Sequence, residues 1–262
     1  MATNKEKSLR KAASALQAAK CARPVLFEFD DEDFPYGTSG SSVLVELGGQ
    51  VFAVTAAHLF DKYMGSPIQA DQLRIPYSIE HAVEPNNAFV PHEAILRIKP
   101  IATEETAEWQ DLAIAPVKQD LLVRHLFCGE EPLCLDGLTS DVSFGTVLVR
   151  GFPSETREFD PEDRIIRYCP ILLVGQSHRG SWREDDCTFQ VDVKSIHGLT
   201  NFDDLSGSPV IRVNANGQHQ LAGIVLRGGN DQLHVLEARI IAATLNAYSR
   251  GENEATILLG NR

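Results

Sequence analysis

From residue 41 to residue 226 the chain is a succession of short apolar runs cut by turn formers, with no helical period between them. The runs are Ser41–Leu47, Val51–Thr55, Gln72–Ile75, Ala94–Ile98, Leu112–Val117, Val142–Val149, Ile165–Val174, Thr188–Val193, Val210–Val213 and Leu221–Leu226. Gly48-Gly49 between the first two is a hairpin signal, and Gly151-Phe152-Pro153 is a typical break. Parallel strands need crossover connections that are usually helical, so about ten strands without helices between them predict an all-β sandwich or barrels. No fixed-period repeat is visible, which disfavours propellers and solenoids. The turn-rich stretch from Pro132 to Ser140 divides the chain into β halves at 24–135 and 136–250, each of ordinary domain size.

Helical patterns occur at the two ends. Thr3 and Glu6 form a capping-box pair, and Leu9, Ala12, Ala13, Leu16 and Ala19 follow at helical spacing. Residues 1–23 are therefore expected to form a basic helix. They carry five net positive charges, whereas the whole chain carries −12. A basic arm on an acidic body suits docking onto that body or onto a regulatory protein partner, or simply a solubilising tail. Near the other end, Ile241, Leu245 and Tyr248 predict a helix within 239–250, with Gly251 at its C-cap. The tail 251–262 contains the apolar run Ile257–Leu259, an edge strand or a loose end.

The net charge argues against a nucleic-acid or anionic-membrane surface. No stretch approaches the roughly 20 apolar residues of a membrane span, and Ser14 and Gln17 break the N-terminal apolar segment into a poor signal peptide. Five cysteines, an odd number without a C-x-x-C, make a disulfide framework or zinc knuckle improbable and point to a reducing cytoplasm.

Three segments could carry chemistry. Phe52-Ala-Val-Thr-Ala-Ala-His58 ends an apolar strand in an imidazole beside small residues, as a general base requires. Asp111 opens the apolar run Leu112–Val117, where its carboxylate can orient an imidazole N–H. Ser206, in Asp203-Asp204-Leu205-Ser206-Gly207-Ser208-Pro209, sits in a tight turn that can present a hydroxyl and backbone N–H groups. Each alone is more often structural. The ordered set His, Asp, Ser is far more specific.

As a set, T-A-A-H at 55–58, D-L-A-I at 111–114, S-G-S-P-V at 206–210 and G-I-V at 223–225 resemble the trypsin-like (chymotrypsin-fold) serine peptidases. Gly37-Thr-Ser-Gly40 also fits bacterial, HtrA-like members, of a type expected to lack their PDZ domain. The resemblance implies two antiparallel Greek-key β-barrels and a serine endopeptidase acting on a protein or peptide substrate without metal or organic cofactor. It makes Ser206 the nucleophile, His58 the general base and Asp111 the orienting carboxylate. The backbone N–H groups of Asp204 and Ser206 would form the oxyanion hole. Thr200, Leu226, Arg227 and Gly228 would line the pocket for the residue before the scissile bond. Thr200 brings no negative charge to that pocket, which argues against a preference for Lys or Arg.

Two positions depart from the family. Asp204 stands where glycine is usual, which restricts the backbone and puts a carboxylate near a developing oxyanion. Leu205 stands where zymogen-type members carry the acid used in activation. The resting Asp203–Asp204 peptide is accordingly expected to be turned away from the hole until a substrate or partner reorganises it. An α/β-hydrolase would need G-x-S-x-G, a zinc peptidase H-E-x-x-H and a viral-type cysteine peptidase Cys at 206; none is present. The remaining alternative is a catalytically silent trypsin-like fold acting as a binding module.

Overall fold

The computed structural model describes residues 17, 19–30, 35–61, 68–79, 88–93, 95–97, 111–136, 144–160, 162–163, 165–179, 187–193, 202, 204–213, 219–229 and 231–252. The fold is all-β. In the first half, β1 (Ala22–Glu28), β2 (Tyr36–Leu47), β3 (Gln50–Thr55), β4 (Leu73–Arg74), β5 (Leu96–Arg97) and β6 (Ala113–Pro116) form a sheet in the order β4-β1-β2-β3-β6-β5. A seventh strand, β7 (Leu133–Cys134), adds parallel to β2. The second half is a closed six-stranded barrel. It is built from β8 (Thr146–Gly151), β11 (Ile171–His178), β12 (Thr188–Val193), β13 (Pro209–Val213), β14 (His219–Gly229) and β15 (Gln232–Glu237). The order around it is β11-β12-β15-β14-β13-β8. A separate hairpin pairs β9 (Arg157–Asp160) with β10 (Ile165–Tyr168). The seam expected at 132–140 overlaps β7, and its remainder from 137 lies outside the described residues.

Two strand assignments needed tertiary information. The run Ile165–Val174 is two strands, because Pro170 has no N–H to donate to a ladder. β1 was hidden by Arg23 and Pro24, yet Arg23 is wholly buried. Its guanidinium donates to the carbonyls of Lys20, Ala22, Pro76, Tyr77 and Glu130 and lies 3.8 Å from the Glu130 carboxylate. Burial pushes its pKa down to about 10 even so. Ala22 and Arg23 thus belong to a core strand and not to a basic helix over 1–23. Gln17 and Ala19 are helical, and residues 1–16 lie outside the described residues.

Helix α1 (Ala238–Ser249) matches the C-terminal pattern. Gly251 at φ +70° allows the helix to end with its N–H on the Tyr248 carbonyl and the Glu252 N–H on Ala247, the Schellman arrangement. The buried face of α1, Ile241 and Leu245, packs in the same core as Val43, Phe52 and Ile114 of the first sheet and Ile211, Ile224 and Leu226 of the barrel. Val210, Val225, Leu205 and their neighbours instead fill the barrel interior. One apolar core therefore runs through the joint between the halves, and the helix closes it. Among the described residues no helix is long and apolar enough to cross a membrane. The expected tail strand lies outside the described residues from 253 onward.

Candidate active site

Each piece of the site hangs on an element edge at this joint. His58 follows β3 in a single 3-10 turn, Ala57–Phe60, whose Leu59 and Phe60 are buried and anchor it. Asp111 immediately precedes Leu112, which is fully buried, and β6. Because β6 pairs with β3 so that Ala113 lies opposite Thr55, the residues just beyond the pair meet. One Asp111 oxygen accepts the His58 backbone N–H at 2.9 Å and the other lies 2.8 Å from Nδ1. The two-point contact fixes the imidazole plane and favours the tautomer with its proton on Nδ1.

Ser206 comes from the barrel half, in the turn before β13. Its Oγ lies 3.1 Å from His58 Nε2, which bears the lone pair in that tautomer. The same hydroxyl donates to the Leu226 carbonyl at 2.9 Å. Leu226 is the extra residue where the β14–β15 register slips between Val225 and Arg227, and such a bulge re-aims a backbone group. The hydroxyl proton therefore has two acceptors, and turning it from Leu226 to Nε2 readies the oxygen for attack. The structure thus brings His58, Asp111 and Ser206 together, with His58 and Asp111 side chains 42% and 27% exposed. That leaves the imidazole open to a substrate.

The turn around Ser206 is fastened from both sides. Leu205 donates its N–H to the Phe202 carbonyl and drops a fully buried side chain into the barrel core, so it serves packing. Gly207 donates to the Val225 carbonyl and Ser208 to that of Leu205. From the first sheet, the Ser41 N–H donates to the Ser206 carbonyl at 2.8 Å, while Thr55 Oγ1 donates to the Ser41 carbonyl at 2.6 Å. Among the described residues none accepts the Ser206 N–H. Asp204 adopts φ +67°. Its carboxylate is engaged sideways: Oδ1 accepts the Gly40 N–H at 3.2 Å, and Oδ2 lies 3.7 Å from Arg157 Nη1. Asp203 lies outside the described residues, and with it the expectation about the Asp203–Asp204 peptide.

Of the expected pocket residues, Thr200 also lies outside the described residues. The Leu226 side chain is buried, so its carbonyl is what reaches the site. Arg227 and Gly228 are exposed at the end of β14. A side chain at Gly228 would run into Leu233 and Phe202, so that wall is made of backbone. Sequence reading missed Gly40, Ser41, Thr55 and Arg157, which hold the Ser206 turn. Only Gly40 and Thr55 were visible, as parts of matched motifs. Among the described residues no group of three His, Cys, Asp or Glu is placed to hold a metal ion. Comparison with protein-family models finds no match, and comparison with curated proteins finds none either.

Proposed function

We propose that this chain is a serine endopeptidase built on two Greek-key β-barrels, acting on a protein or peptide substrate in the cytoplasm. The observation that carries the reading is the imidazole of His58, held by Asp111 at 2.8 Å and facing the Ser206 hydroxyl at 3.1 Å. In the reaction, Ser206 Oγ attacks the scissile carbonyl as its proton passes to His58 Nε2. Asp111 stabilises the imidazolium, and the Ser206 and Asp204 N–H groups receive the oxyanion. His58 then hands the proton to the leaving amine, and water activated by the same imidazole releases the acyl group from Ser206. Five cysteines that form no disulfide fit a reducing compartment.

Asp204 favours a second reading, a silent fold that binds proteins, because a carboxylate stands beside the hole. One experiment separates the two. A fluorophosphonate probe labels Ser206 in the wild-type protein, and Ser206→Ala abolishes both labelling and hydrolysis of denatured protein, by at least about 1,000-fold. Ser208→Ala is the control. Its Oγ is buried without a hydrogen-bond partner, so the substitution leaves labelling intact. A wild-type protein that is folded and unlabelled is a binding module.

A further inference from the structure

Resting on the peptidase reading of this same site, we propose that Asp204 and Arg157 are positioning residues that brace the oxyanion turn in place of the conformational freedom of a glycine. The backbone at Asp204 is left-handed, φ +67°, a region that Asp and Asn enter more readily than other residues with side chains. Three contacts hold it there, two from neighbouring residues of β2 and one from β9. The Gly40 N–H donates to Oδ1 at 3.2 Å, the Ser41 hydroxyl donates to the Asp204 carbonyl at 3.0 Å, and Arg157 Nη1 stands 3.7 Å from Oδ2. Gly40 is itself left-handed, φ +73°, and any side chain on it would meet Leu59 and the Ser206 carbonyl oxygen. Its N–H is therefore presented at a point no other residue could occupy.

Arg157 arrives on the β9–β10 hairpin. Ile166 of that hairpin is buried against Leu26 and Tyr36 of the first sheet. The Ser41 hydroxyl accepts the Phe152 N–H at 3.2 Å, tying the start of the same connection to the same point. The carboxylate thus accepts an N–H and faces a guanidinium, which partly offsets its charge. Both the backbone strain and the charge that a glycine-to-aspartate change brings to such a turn are met by neighbours of this chain.

The test uses a small neutral ester, p-nitrophenyl acetate, so that pocket preference plays no part, alongside fluorophosphonate labelling. Loss of a whole oxyanion donor costs about 100- to 1,000-fold in rate, and a loosened turn costs less. Asp204→Ala is expected to lower kcat about 10- to 100-fold with KM changed less than about threefold. Asp204→Asn, which keeps an acceptor for Gly40 and tolerates the left-handed region, returns kcat to within about threefold. Arg157→Met falls between them. Melting temperatures of all variants separate a misplaced turn from an unfolded protein. Asp204→Ala at the wild-type rate, or Asp204→Asn as slow as Asp204→Ala in a folded protein, overturns the brace. A wild-type protein that the probe does not label removes the nucleophile and the brace together, whereas a labelled wild type with undiminished Asp204→Ala removes only the brace.

Discussion

Gly207 follows Ser206 at φ +84°, and the space beside its Cα is already filled. A methyl group there would fall 1.9 Å from the Ser41 carbonyl oxygen and 2.3 Å from Thr55 Oγ1. Those two atoms are hydrogen-bonded to each other, and Ser41 in turn holds the Ser206 carbonyl, so the overlap can be relieved only by moving Ser206 or its support. Gly207→Ala is therefore expected to lower esterase activity at least about 100-fold and stability by about 2–4 kcal/mol, the range of strained or overpacked sites. Activity assays and denaturant melts of the purified variant check both figures. Residue identity made His58, Asp111 and Ser206 legible, because imidazole, carboxylate and hydroxyl have few substitutes in this chemistry. The role of Asp204 was not legible. Its contacts are with Gly40 and Arg157, 164 and 47 positions away, of which only Gly40 lay in a matched motif.

Elements were readable where their pattern was local. The hairpin of β2 and β3, with Leu47 opposite Gln50 across Gly48-Gly49, and helix α1 with its glycine cap follow from short-range rules. Strand β15 had such a signal and was overlooked: Asp231, at φ +61°, turns the chain so that Gly229 pairs with Gln232, and Leu233 and Val235 then alternate into the core. Between β11 and β12, His178 Nε2 lies 3.1 Å from the Asp192 carboxylate, which raises the His178 pKa and is itself held below its ordinary value by the histidine. The histidine's share of stability is fully present below its ordinary pKa of 6.5 and is lost as pH rises through the raised value. The aspartate's share is present above 3.8 and is lost as pH falls through the depressed value. The pair thus supports the β11–β12 ladder mainly between those limits. An NMR titration of the His178 ring should show a midpoint above that of the Asp192→Asn variant; equal midpoints would mean that the contact is not made in solution.

At the scale of the molecule, none of the five cysteines forms a disulfide, and Cys21 is buried so completely that its thiol is pushed up to about 12. Stability should therefore rest on the shared core of the joint, and the Tm should be the same within about 1 °C with and without reductant. A native disulfide, usually about 2–4 kcal/mol, would shift it by several degrees. The sequence by itself determined the strand-rich class, the C-terminal helix and the identity of three residues, His58, Asp111 and Ser206, that the fold brings together. These depend on local patterns: alternation, turn formers, caps and side-chain chemistry. Tertiary structure alone decided that Arg23 belongs in a core strand, that the Leu226 carbonyl accepts the Ser206 hydroxyl proton, and that Ser41 and Asp204 join the first sheet to the Ser206 turn. The physical reason is common to all three. Each depends on where a buried backbone N–H or carbonyl finds its partner once two halves of the chain have met, and backbone groups are the same at every position of a sequence.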